Sequence, residues 1–310
     1  MKVPIYTIMT LKRLKKGDLI GIVSPSDPLE NIEKDKQFNS GVKFLEGLGF
    51  KIILGENISA KKPEKRAEDI NKFFREVKVK AIIASQGGDS AEKLLPFIDF
   101  ESIKSNSKIF LGISDITVLL NDINTKTNLI TFHGNDVKYG FGRNPTAYDK
   151  NEFVRILMKD TKGEIPANGE RKTIRNGKAT GKILGGNIRC LLKLIDTEYW
   201  PDFTDSILFL EAYKIDKEKC LSYFKKLKEK KVFDKIKGVI VGFIFEMQEE
   251  NPQSEQMEDI LLNFTKDYSF PILKTNDFGH NIPNTVIPVG AIVEFDADKK
   301  KIKLIENNIS

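Results

Sequence analysis

Cysteine and histidine are nearly absent: the chain of 310 residues has two of each. Cys190 and Cys220 stand far apart inside apolar-patterned segments. That excludes a small disulfide framework and any close-spaced thiol pair for zinc or redox chemistry, and buried free thiols are expected instead. With no HExxH, no metal site is expected, and no cofactor. Long apolar runs are missing too. None approaches the roughly 18 residues of a membrane span, and MKVPIYTIMTLKRLKKGD at the start has no apolar signal-peptide core. The expectation is a soluble, cytoplasmic protein with no membrane partner. Arginine is scarce, eight residues among fifty Lys+Arg, although the formal charge is +6. Base readout and bidentate phosphate recognition favour arginine. The lysines alternate with acids, as in KEKCLSYFKKLKEKKVFDK at 217–235, which is the pattern of a solvated helix face. A nucleic-acid partner is not expected. Neither GxGxxG nor GxxxxGK[ST] occurs, which removes the usual support for a nucleotide-binding fold.

What is present is ordinary globular composition, 40% hydrophobic and 30% charged, at a length that accommodates two domains. The first half alternates strand-like and helix-like segments. LIGIVS (19–24), KIILG (51–55), KAIIAS (80–85) and KIFLGI (108–113) read as strands. Between them, Ile32, Val42, Leu45 and Leu48 fall on one helical face. Pro63 opens a second helix carrying Ala67, Ile70, Phe73, Phe74 and Val77 at three-to-four spacing. This alternation predicts an α/β fold whose N-terminal domain, residues 1–165, is a doubly wound parallel sheet. Ligands in such sheets bind beyond the carboxyl ends of the strands, where SPSDP (24–28), SQGGDS (85–90) and ISDIT (113–117) lie. The stretch 140–180 is polar and turn-rich, and 166–180 reads as a connection. From 181 to 310 GKILGGNIRCLLKLI, SILFLEAY, KGVIVGFIF and AIVEFD predict a β-rich α/β domain.

Ser114 stands where a strand hands over to a helix, in GISDIT. It is either a turn or cap residue, or a nucleophile presented on a tight turn. A base for such a nucleophile could only be His133, in LITFHGNDV, or His280, in NDFGHNIPNTVIPVG. Glu211 closes the apolar run SILFLE, where a carboxylate needs a partner; that partner is either a base to be oriented or a lysine such as Lys214. The glycines of SQGGDS could offer backbone N–H groups to an oxyanion or a phosphate.

Taken in order along nearly the whole chain, GDLIGIVSPS (17–26), IIASQGGDSAEKLLPFIDFESIKSNSKIFLGISDIT (82–117), TFHG (131–134), GKILGGNIRCLLKLIDTEYWPDF (181–203), ILFLEAYKID (207–216), IKGVIVGFI (236–244) and FGHNIPNTVIPVGA (278–291) resemble the S66 family of serine peptidases. That family comprises the LD-carboxypeptidases and relatives of the microcin C immunity type. The resemblance implies a Ser–His–Glu triad of Ser114, His280 and Glu211 at the interface of the two domains. The oxyanion would rest on the backbone N–H of Asp115 and of Gly88 rather than Gly87, and His133 would be left a structural or substrate-pocket role. It implies a carboxypeptidase-type hydrolase acting on a small peptide or peptidyl-nucleotide, assembled as a homodimer. A murein-recycling LD-carboxypeptidase is the alternative, and a non-catalytic small-ligand-binding protein a third reading. Gln86-Gly87-Gly88-Asp89-Ser90 stands where the murein enzymes usually carry an Arg-Gly-Gly-Tyr-Gly type of loop, which looks more like the microcin-immunity branch. Asn135 follows His-Gly where the family often has proline, and no tryptophan lies in 140–180.

Overall fold

A computed structural model describes residues 11–159, 162–307 and 309. The first half alternates as its sequence predicts: β1 (Leu19–Val23), α1 (Lys36–Gly47), β2 (Lys51–Leu54), α2 (Pro63–Arg75), β3 (Val79–Ala84), a 3₁₀ stretch Ala91–Phe97, α3 (Phe100–Ser105), β4 (Ile109–Gly112), α4 (Thr117–Thr127) and β5 (Thr131–His133). The strand core is apolar because a parallel sheet is covered on both faces; every residue of β4, and all of β3 except Lys80, is buried. Pro63 sits at the first turn of α2, and Ala67, Ile70, Phe73 and Phe74 bury its inner face. Val77 departs from the expected stripe. The helix stops at Arg75, and Val77 is 73% exposed. In α1 the buried residues are Phe38, Gly41 and Leu45, capped by Asp35, which accepts from Phe38 N at 3.0 Å. Val42 lies at the margin of that face, half-buried, whereas Ile32 departs from the expected face: it precedes the helix, in the 3₁₀ turn Ile32–Lys34.

The polar stretch after residue 140 holds more structure than its composition suggests. Helix α5 (Ala147–Phe153) starts there on a capping box between Thr146 and Asp149. The strands β6 (Gly163–Glu164), β7 (Lys172–Arg175) and β8 (Lys178–Asn187) follow, so residues 172–175 and 178–180 of the expected connection are strand. Next come α6 (Ile188–Leu191), β9 (Ser206–Ala212), α7 (Lys217–Glu229), α8 (Val232–Lys235), β10 (Gly238–Ile244), α9 (Met257–Phe264), β11 (Ile272–Lys274), β12 (Ile287–Val289), β13 (Ile292–Asp296) and β14 (Lys301–Leu304). The protein is thus α/β with two sheets. The second has eight strands in the order β6-β14-β13-β8-β9-β10-β11-β7. The first has six in the order β12-β5-β4-β3-β1-β2. Its parallel strands β1 to β5 are extended by β12, which comes from the far end of the chain and pairs antiparallel with β5, Ile287 opposite His133. No helix among the described residues is long and apolar enough to cross a membrane.

The two sheets are locked together by α4 lying on β8. Asn121 donates to Gly185 O at 2.8 Å and accepts from Gly185 N at 3.2 Å, and Thr117 Oγ1 accepts from Asn187 N at 3.0 Å. Glycine is required at this crossing: Gly185 and Gly186 have φ of +133° and +128°, and a Cβ on Gly186 would stand 2.6 Å from Thr117 Oγ1. The helix that follows Ser114 is therefore seated on the strand that neighbours Glu211, since Asn187 of β8 lies opposite Glu211 of β9.

Candidate active site

Ser114 sits on the turn between β4 and α4 with φ +64°. A side chain in that left-handed conformation is strained, and such strain collects at functional positions. Neither the 3₁₀ turn Ser114–Ile116 nor α4 has a side-chain cap, so the serine is not there to cap a helix. Gly87 lies against it. A Cβ on Gly87 would meet Ser114 Cβ at 2.9 Å, Ser114 Oγ at 3.2 Å and Asp115 N at 3.7 Å. Gly88, with φ +149°, packs on Asp27. The Gly-Gly turn after β3 thus brings bare backbone up to the serine.

The side chain of Asp115 points away into the fold. It is fully buried and accepts from Ser26 Oγ at 2.6 Å, Ala91 N at 2.8 Å and Lys193 Nζ at 2.7 Å. Three partners from separate segments therefore hold the turn that carries Ser114, and Asp89 joins Lys193 at 2.6 Å. Lys193 was not legible beforehand, because it lies 78 residues from Asp115 and has only an ordinary amphipathic setting.

Glu211 ends a buried strand and is itself fully buried. Its Oε2 lies 2.6 Å from Nδ1 of His280. Burial works against ionisation of Glu211, but the His280 charge and hydrogen bond, with His133 on the other side, hold its pKa at about 2. In return Glu211, against the opposing effect of burial, raises His280. The partner of Glu211 is therefore a histidine and not Lys214, whose ammonium lies over the Tyr213 ring 5.5 Å from its centroid. Tyr213 also stacks on the His280 imidazole, with centroids 5.1 Å apart and planes 28° from parallel. This residue, too, was missed; its signal was its place two residues after Glu211, just beyond the end of β9.

His133 is not on the cavity wall. It is fully buried behind Glu211, with Nε2 4.0 Å from Oε1. Ser114, Gly87, Gly88 and His280 line one cavity of about 780 Å³, with Asp136, Arg143, Arg189, Tyr213 and Lys214 on its remaining walls. Asp136 accepts from Tyr139 N at 2.6 Å and Gly140 N at 2.9 Å, and burial still pushes it up to about 6. Arg189 is engaged by Asp89 at 2.6 Å and Arg143 by Asn281 at 2.6 Å. Cys190 and Cys220 are both buried and free, Cys190 against the cavity. Among the described residues no three His, Cys, Asp or Glu side chains are grouped to hold a metal ion.

Residues 20–134 match the LD-carboxypeptidase N-terminal domain of the S66 peptidases, and residues 180–295 match its C-terminal domain. The chain belongs to the S66 peptidase family. Among S66 relatives, the microcin C7 self-immunity protein MccF of Escherichia coli is 30% identical, with 96% of each chain covered. A protein of Bacillus subtilis (strain 168) named a probable murein peptide carboxypeptidase is 28% identical over 96% of this chain and 95% of its own. The structure of MccF in complex with glutamyl sulfamoyl guanosine superposes with a TM-score of 0.88 at 27% identity, covering 97% of this chain and 99% of that one. The two-sheet architecture is that of this S66 structure.

Proposed function

We propose that this S66 protein is a serine hydrolase that cleaves an amide bond at the C-terminal end of a small peptide or peptidyl-nucleotide. The observation that carries the reading is the 2.6 Å contact between buried Glu211 and His280, on a cavity that Ser114, held in a left-handed turn, also lines. Ser114 Oγ attacks the scissile carbonyl while Nε2 of His280 takes its proton. Glu211 keeps Nδ1 protonated and offsets the imidazolium charge, and His280 then returns the proton to the leaving amine. The oxyanion forms against the backbone N–H of Asp115 and of Gly88, the amide that follows the glycine packed on Ser114. Each such donor contributes about 3–4 kcal/mol in comparable sites. Lys214 or Arg143 receives the substrate carboxylate, since Arg189 is already paired with Asp89 while Arg143 is bonded only to the neutral amide of Asn281.

A fluorophosphonate probe, followed by a product screen, tests this. Covalent labelling confined to Ser114, together with hydrolysis of either an aminoacyl-sulfamoyl nucleoside or a murein tetrapeptide with a terminal D-residue, is the expected result. The Gln86–Ser90 loop favours the nucleoside compound. Absence of labelling with tight binding of either compound would make the chain a sensor and not an enzyme.

A further inference from the structure

His133 and Glu211 together hold three buried polar atoms without a hydrogen-bond partner: both ring nitrogens of His133, and Oε1 of Glu211. Leaving such atoms unpaired costs stability, and an apolar residue would fill the site more cheaply. The two orphaned groups nevertheless face each other. Nε2 stands 4.0 Å from Oε1, beyond hydrogen-bond length but close enough for an N–H dipole there to act on the carboxylate in a dry interior. The ring is held in that direction. Phe209 of β9 and Phe278 meet it edge-on, at 5.3 Å and 6.1 Å between centroids. His133 belongs to β5, between β4, whose Gly112 lies opposite it, and β12, which presents Ile287. From these elements Glu211 is the titratable group facing His133, with His280 beyond it and Asp136 acting on His280.

We propose that His133 is a positioning residue: its Nε2–H, aimed at Oε1, orients the Glu211 carboxylate so that Oε2 meets His280, and keeps it ionised. This rests on the hydrolase reading above. His133 touches no substrate. It acts on the far oxygen of the acid, from the sheet that carries Ser114, and so ties the acid's position to that of the nucleophile strand. Withdrawing negative charge from Glu211 also moderates the basicity of His280. Without the donor the carboxylate holds a proton on His280 more firmly, and the acidic limb of kcat/KM moves up in pH.

The test compares His133→Phe, His133→Gln and His133→Asn with wild type, each by kinetics over pH 5–9 and by NMR titration of the ¹⁵N-labelled imidazoles. The chain has two histidines, so in each variant the signals left belong to His280. His133→Phe is expected to lower kcat about 10- to 100-fold with KM within about threefold, as for a catalytic group slightly misplaced. The His280 titration should rise by about half a unit. His133→Gln, whose amide reaches the Nε2 position, should bring kcat back to within about threefold of wild type, and His133→Asn, which falls short, should not. A His133→Phe protein with unchanged kcat and an unmoved His280 titration, altered only in Tm, would overturn the proposal. If that variant fails to fold, equal kcat in the Gln and Asn variants would overturn it. A wild type that hydrolyses nothing would sink the hydrolase reading instead, and the His280 titration would still decide whether His133 and Glu211 are coupled.

Discussion

At the scale of single residues, the strain at Ser114 separates function from stability. The αL conformation at φ +64° costs an alanine as much as a serine, and costs glycine nothing. Ser114→Ala and Ser114→Gly should both lose at least about 10³-fold in kcat. Of the two, the glycine variant should be more stable by about 1 kcal/mol in urea titration; an alanine variant of equal or greater stability would mean the turn is unstrained. Asp122 is a second residue at odds with its surroundings. It is fully buried in α4, neither carboxyl oxygen has a partner, and burial pushes it up to about 8, with Lys126 and Glu198 nearby. The folded protein therefore keeps a proton that the unfolded chain loses near the ordinary value of 3.8. With fewer protons bound in the unfolded state, stability falls as pH rises from about 4 to about 8. Asp122→Asn should flatten that slope and add about 1 kcal/mol or more at pH 8, measured as Tm against pH. An unchanged slope would show that Asp122 titrates normally. The Ser114 turn was legible, because an apolar strand followed by Gly-x-Ser-Asp leaves few alternatives. Glu211 was legible only as a carboxylate in need of a partner, and Asp122 was invisible: an acid on a helix reads as surface until its neighbours are known.

Elements were most legible where burial is continuous. β1, β3, β4, β9 and β10 announce themselves as apolar runs, because nearly every position on them faces covered layers. α5 was not, since its apolar content is small and its start rests on the Thr146–Asp149 box inside a polar stretch. The function of GKILGGN was also hidden. Two glycines in a strand suggest a bulge or a close approach, but not that α4 is what approaches. Gly185 answers to backbone: a Cβ there would lie 2.0 Å from Phe209 O, at φ +133°. A carbonyl in a paired strand cannot yield as a side chain can. Gly185→Ala should therefore cost at least about 2 kcal/mol. It should also lower kcat more than it raises KM, because β8 carries Asn187 opposite Glu211 while α4 carries the turn of Ser114. Full activity and unchanged Tm would mean that the α4–β8 seat does not position the site.

At the scale of the whole molecule, Glu211 comes from the second sheet, Ser114 from the end of a strand of the first, and His280 from the segment that joins β11 of the one to β12 of the other, so the cavity exists only while the two sheets hold together. The two sheets are interlocked by more than surface contact. β12 is encoded near the end of the chain yet hydrogen-bonds to β5 of the first sheet. Leu11 bridges Ile309, Leu14 N donates to Leu157 O at 2.8 Å, and the buried apolar residues of both halves form one connected core. None of this was readable in advance. IPV is a short run containing Pro288, and proline argues for the edge of a sheet without saying which sheet; the pairing joins residues far apart in sequence. A chain folded in this way has no half that can lose its structure alone, because unfolding the second half strips β12 and the α4 seat from the first. The single tryptophan, Trp200, packs at 5.2 Å from Phe203 in the second half, whereas far-UV circular dichroism reports on both. In urea the two signals should give the same midpoint, and equal midpoints are the mark of one cooperative transition. If Trp200 fluorescence changes well before the dichroism, the second half unfolds independently and the interlock through β12 contributes little to stability.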